Sequence, residues 1–221
     1  PSTFDYMSQR REELISFFSG QWVIDLQTEL EASAPSSGEK KEELRSRLAS
    51  AQNAHEKWGN VRITLPTLTL SGDATIRVGE RAIEIISLGA AHSGGDLAVY
   101  VPDERALIVG DLVGKPRTLV SLDGEQGNVV GLASALGRLD AEYGDSARYL
   151  VTGHGPVGDA KWLEASRSYV EYVVDEVAEA RARGWSIEQI KTRLALDRLR
   201  ENNIEAAWLS LERRQAGDHA R

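Results

Sequence analysis

Apolar positions recur at helical spacing towards both ends of this chain and alternate with polar ones in the middle, which predicts helices on either side of a sheet. Residues 4–33 read as helical, with Phe17, Phe18, Trp22, Ile24 and Leu26 as a dense apolar centre and Gly20 as a break. The stretch 34–40, Ala-Pro-Ser-Ser-Gly-Glu-Lys, predicts a mobile loop without an apolar anchor. From Lys41, Leu44, Leu48, Ala51, His55 and Trp58 follow one another at spacings of 4, 3, 4 and 3, an amphipathic stripe that would place His55 partly in a core. Strands are expected from near Val61, where Ile63 and Leu65, then Leu68 and Leu70, alternate on either side of Pro66. Ile76 and Val78 alternate again, and Gly79–Arg81 turns the chain into Ala82–Leu88. Leu97–Val101 and Ala106–Val109 flank a Pro102–Arg105 turn and read as a β-hairpin.

Beyond residue 112 the period returns to that of a helix. Asn128 is a good N-cap for a helix carrying Val129, Leu132, Leu136, Leu139 and Tyr143. That helix crosses over to a strand at Arg148–Thr152, which suits an α/β layer architecture. Asp159 caps a helix with Trp162, Ala165, Tyr169, Tyr172, Val173 and Val177 along one face, and Gly184 ends it. Ser186 and Gln189 form a capping box for the next helix, and a last one carries Ile204, Ala207, Trp208 and Leu211. The aromatic residues of these helices read as core packing.

Composition narrows the field. With 221 residues, 41% hydrophobic and 27% charged, the chain is long enough for a sizeable core. A net charge of −8 argues against a nucleic-acid or anionic-membrane partner, which calls for a basic face. No apolar run approaches the roughly 18 residues of a membrane span. The absence of cysteine excludes disulfides, thiolate ligands and a cysteine nucleophile. It does not locate the protein, and a cytoplasmic setting is favoured only slightly over export.

The chemistry gathers at three turns. His92 lies in a Gly-rich loop before the first hairpin strand, and Asp111 follows Gly110 just after the second. An antiparallel hairpin brings its outer ends together, so these two can stand side by side at one sheet edge. His154, between two glycines, ends the strand at Arg148–Thr152 in the same manner. Imidazole and carboxylate converging on loops are the material of a metal site, although a lone histidine at a strand end is more often an ordinary loop residue.

The motifs Gly-Ala-Ala-His-Ser-Gly-Gly-Asp at 89–96, Ile-Val-Gly-Asp at 108–111 and Val-Thr-Gly-His-Gly-Pro at 151–156, in that order, resemble those of the metallo-β-lactamase-fold hydrolases over roughly Val61 to Arg183. The resemblance implies an αββα sandwich in which His92, Asp111 and His154 are metal ligands, Asp111 acting directly in catalysis by bridging two ions. It implies zinc, with iron or manganese compatible with the same donors, and a metal-bound hydroxide that attacks an ester, thioester, lactone or lactam carbonyl of a small-molecule substrate. Ser93, Asp96 and Thr152 are candidates for orienting the histidines. Lys115 and Arg117 are candidates for binding an anionic substrate group.

One departure stands against the match. The family's His-x-His-x-Asp-His motif is missing, since no His-x-His occurs anywhere in the sequence. The chain therefore reads as truncated, an α/β protein with part of the sandwich and added N- and C-terminal helices. One partial domain is expected: 1–58 a helical insert or lid, 59–160 the sheet with its ligand loops, 161–221 the C-terminal helices. A sheet without its partner half would expose an apolar face, to be covered by an upstream segment or by a second copy in a homo-oligomer. The competing reading is a non-catalytic protein of the same fold, acting as a binding or assembly module.

Overall fold

The structure, a computed structural model, describes residues 3–11, 15, 20–33, 38–62, 64–114, 122, 126–193 and 201–218. The chain forms two compact units, Pro1–Thr69 and Leu70–Arg221.

The first unit is helical: α1 (Thr3–Gln9), α2 (Gln21–Ala32) and α3 (Gly38–Trp58). Gly20, at φ 89°, takes the left-handed conformation that starts α2 and that glycine adopts without strain. Leu26 of α2 meets Leu44 and Ala51 of α3, with Trp22, Val23, Leu30 and Leu48 around them. Trp22 thus packs helices together. Phe17, Phe18 and residues 34–37 lie outside the described residues. Residues 38–40, expected in the loop, already belong to α3, since Glu39 and Lys40 are good helix formers.

The stripe on α3 is buried only along its first part. His55 is exposed and Trp58 is more than half exposed, against expectation. Length explains this. At 1.5 Å per residue, the 12 residues of α2 span about 18 Å and the 21 of α3 about 32 Å, so α3 outruns its partner. His55 lies just past the end of α2, its ring beside Gly20.

The strands expected between Val61 and Leu70 are not formed among the described residues; the chain runs there as coil. Pro66 removes a ladder donor, and alternation alone cannot make a strand without a neighbour to pair with. The sheet begins at β1 (Ala74–Val78) and continues through β2 (Arg81–Gly89), β3 (Asp96–Val101), β4 (Ala106–Gly110) and β5 (Tyr149–Thr152). Its order is β1-β2-β3-β4-β5, antiparallel except for the parallel β4–β5 pair. The expected hairpin is β3–β4, turned by a 3-10 stretch at Pro102–Glu104 and by Arg105 at φ 51°. Arg105 pins the turn in place: its Nε donates to Ser146 O, and its own carbonyl accepts from Arg148 N and Tyr149 N.

The crossover to β5 is α4 (Val129–Tyr143), capped by the Asn128 side chain, which accepts from Gly131 N. After β5 come α5 (Ala160–Ala182), capped by Asp159, then α6 (Ile187–Arg193), with the expected Ser186–Gln189 capping box, and α7 (Glu201–Asp218). Helices α4 and α5 cover one sheet face. There Ile86, Ala98, Tyr100, Leu107, Val109 and Leu150 pack on Leu132, Leu136 and Leu139 of α4 and on Leu163, Val170 and Val173 of α5. The opposite face carries Ile76, Val78, Leu97, Ile108 and Tyr149, all of them exposed. Among the described residues no helix is long and apolar enough to cross a membrane.

Candidate active site

Strand direction brings the three turns to one end of the sheet. β3 starts at Asp96, next to the end of the antiparallel β4, and β5 runs parallel to β4. The His92 loop, Asp111 and His154 therefore cap three neighbouring strands at the same end.

Each turn is built by specific bonds. Asp96 organises the His92 loop: its carboxylate accepts from Ala91 N at 3.2 Å, Ser93 N at 2.8 Å and Ser93 Oγ at 2.7 Å. Asn128 N donates to Ala91 O at 2.7 Å, so the loop is also tied to the start of α4. A side chain on Gly131, in the first turn of α4, would collide with the Ala90 carbonyl. Gly110, at φ 53°, turns the end of β4 so that Asp111 leaves the sheet. Gly153 N donates to Gly110 O at 2.8 Å, locking the ends of β4 and β5 together. His154 sits in the loop that returns to pair Leu150 with Gly158, and its carbonyl accepts from Thr152 Oγ1 at 3.3 Å.

Asp111 and His154 meet. His154 Nε2 lies 3.4 Å from Asp111 Oδ1, with the side chains 74% and 36% exposed respectively. Two donors bound to one tetrahedral zinc at about 2.0–2.1 Å stand about 3.3 Å apart, so this pair fits one edge of such a site. His92 is half-buried in its loop, and among the described residues no group of three or more metal-capable side chains is gathered. The described donors thus match part of a zinc site, one short of the three protein ligands a catalytic zinc normally takes. Lys115 and Arg117 lie outside the described residues.

Gly153 is the site residue that a search for donors passes over. A Cβ there would fall on Asp111 Oδ1 and within 2.9 Å of its Cγ, so the carboxylate reaches His154 only because residue 153 has no side chain. The signal was present as the glycine immediately before His154.

No family model matches the chain. Among solved structures it is similar to the stereoselective inverting sec-alkylsulfatase Pisa1 from Pseudomonas sp., at 13% identity and TM-score 0.56 over 66% of this chain and 26% of that one. It also matches a metallo-β-lactamase from Pontibacter korlensis, at 26% identity and TM-score 0.44 over 49% of this chain and 50% of that one. A third match is DIM-1 metallo-β-lactamase, at 23% identity and TM-score 0.40, again over 49% and 50%. The chain therefore spans about half the length of the β-lactamases and about a quarter of the alkylsulfatase. These neighbours are hydrolases, and the alkylsulfatase shares both the fold and the larger aligned part. The mixed five-stranded sheet, the helices on one of its faces and the likeness to the alkylsulfatase, itself of the metallo-β-lactamase fold, identify the fold as that of the metallo-β-lactamases.

Proposed function

We propose that this chain carries part of the metal site of a hydrolase that cleaves a carbonyl substrate: an ester, thioester, lactone or lactam. The observation that carries the reading is the Asp111–His154 pair, two donor types at the spacing of one ion, held at the end of β4 and β5 by Gly110 and Gly153. Asp111 and His154 would hold the ion, His92 would join them from the adjacent loop, and the remaining donors would come from outside the described residues. Zinc suits a nitrogen–oxygen donor set, and iron or manganese is compatible with it. Such an ion, when bound, supplies polarisation of the carbonyl and a water of near-neutral pKa. The chain's own part is to fix the carboxylate beside the imidazole. Asp96 contributes by holding the His92 loop in a defined shape.

The test is a zinc titration of the metal-stripped chain, run beside hydrolysis assays on one representative of each carbonyl class. Zinc is expected to bind weakly, and Asp111→Asn and His154→Ala are each expected to lower its affinity at least about tenfold. Gly153→Ala, which drives a methyl group onto the Asp111 carboxylate, should weaken zinc in the same direction with the fold retained. Unchanged zinc affinity in Asp111→Asn, or hydrolysis that survives both substitutions, would overturn the assignment.

A second reading, an assembly module without catalysis, is favoured by the apolar sheet face that carries Ile76, Val78 and Leu97. A folded chain that binds no zinc and self-associates through this face would support it.

A further inference from the structure

Helices α5 and α7, with the turn that follows α5, line a cleft that the proposed chemistry does not use. It measures about 420 Å³ and is lined by Ala178, Arg181, Trp185, Trp208, Leu211 and Gln215 among others. Arg181 stands 21 residues after Ala160, about 32 Å along α5 from the helix end that follows the His154 loop, so the cleft is a separate place.

Its walls are set by a helix ending. Gly184, at φ 77°, closes α5, with Gly184 N donating to Arg181 O at 2.9 Å and Trp185 N to Ala180 O at 3.1 Å. After this turn Trp185 stands on the wall of the cleft, which Trp208 of α7 also lines. The Arg181 guanidinium lies 4.3 Å from the centre of the Trp208 ring, while Arg193 and Arg183 lie 4.6 and 5.9 Å from that of Trp185. Arg181 Nη1 donates to Trp208 O at 2.8 Å and its Nη2 to Gln215 Oε1 at 2.9 Å. A guanidinium has five N–H donors, and both partners here are neutral.

Charge makes the position informative. In a chain of net charge −8, Glu179 pairs with Arg183 at 2.8 Å, and Glu188 and Glu205 with Lys191 at 3.9 and 3.4 Å, none of them with Arg181. Among the described residues no carboxylate pairs with Arg181, nor with Arg193, which lies 4.6 Å from the centre of the Trp185 ring. A half-buried guanidinium with unused donors, in a cleft that two indoles also line, offers a planar anion both a charge-assisted hydrogen bond and an aromatic wall.

We propose that this cleft binds a small aromatic carboxylate, with its ring against Trp185 and Trp208 and its carboxylate on Arg181. The site lies apart from Asp111 and His154 and does not depend on the hydrolase reading.

The experiment uses the full chain, ¹⁵N-labelled, with its five tryptophan indole N–H signals assigned by Trp→Phe substitution. Naphthalene-2-carboxylate is the probe, and its neutral carboxamide the control. Saturable shifts confined to the Trp185 and Trp208 signals are expected, with affinity for the carboxylate roughly tenfold above that for the amide. Arg181→Gln should erase that preference while leaving the helical signal intact. Equal binding of acid and amide to the unsubstituted chain would overturn the proposal, and so would the absence of shifts at Trp185 and Trp208. Octanoate binding as tightly as the naphthoate would overturn its aromatic part. If Arg181→Gln does not fold, the acid–amide comparison on the unsubstituted chain decides by itself.

Discussion

The two faces of the sheet are made from the same strands and nearly the same residue types, yet they meet opposite surroundings. Leu107 on β4 is 0% exposed and its neighbour Ile108 is 39% exposed. Leu150 is fully buried beside Leu107, while Tyr149, one residue away, is exposed. On the edge strand, Val78 reaches 60% exposure. Side chains alternate across a strand, so each pair of neighbours samples both faces under the same backbone constraints. What differs is the layer above: α4 and α5 lie on one face, and the other carries apolar side chains that are exposed among the described residues. Apolar character therefore marks which residues could be buried, while the helices decide which are. It follows that the covered face should dominate stability and the open face should dominate association.

The largest effect should come from comparing the two faces directly. Leu107→Ala leaves a cavity under α4 and α5 and is expected to cost about 2–5 kcal/mol. Ile108→Ala removes a side chain already in contact with water and should cost under about 1 kcal/mol. Denaturant unfolding of the two variants checks this, and equal losses would mean that the outer face is covered in solution. The next test sharpens that point. Replacing Val78 and Leu97 with Thr on the open face should lower self-association in sedimentation experiments without lowering the denaturation midpoint. Unchanged association would remove the open face as the contact.

A smaller effect is expected where α4 is seated on the covered face. Asn128→Ala removes the side-chain oxygen that accepts from Gly131 N and should cost about 1 kcal/mol. Because Asn128 N also donates to Ala91 O, hydrogen exchange in the His92 loop should quicken in the same variant. Normal exchange there would show that the cap and the loop act separately.

The last test is a pH dependence from the far end of α4, absent at neutral pH. Tyr143 packs on Tyr100 with ring centres 4.7 Å apart and donates to Glu84 Oε2 at 3.1 Å. Burial first, then Glu84, raises its pKa from the ordinary 10.0 to about 12. The folded chain therefore holds this proton more firmly than the unfolded one, so the stability it contributes is complete below pH 10 and lost as pH rises towards 12. At the acid end, hydrogen bonds from Arg138 and from Ser87 N hold Asp73 below the usual carboxylate value. Its contribution is present above the unfolded carboxylate pKa and is lost as pH falls through the lower, folded one. Absorbance titration of the tyrosinate checks the first of these, and Tyr143→Phe should remove the step at high pH.

Much of this molecule follows from local rules. Asn128, Asp159 and the Ser186–Gln189 box announce their helices, because a cap needs only a side chain within two or three residues of the orphan N–H groups. Gly110 and Gly153 mark the turns that carry Asp111 and His154. The order strand, turn, strand places three candidate ligands at one sheet end without any knowledge of packing. Where contacts run between distant parts of the chain, local pattern is silent. Residues 64–70 alternate like a strand but find no neighbour, and the apolar stripe of α3 continues past the length of α2, leaving His55 and Trp58 exposed. The meeting of Asp111 and His154 but, among the described residues, not of a three-donor cluster, the choice of covered sheet face, and the packing of Arg181 on Trp208 all depend on segments tens of residues apart. Tertiary structure decided these, because burial and side-chain convergence are properties of the element packed opposite, which no stretch of sequence contains.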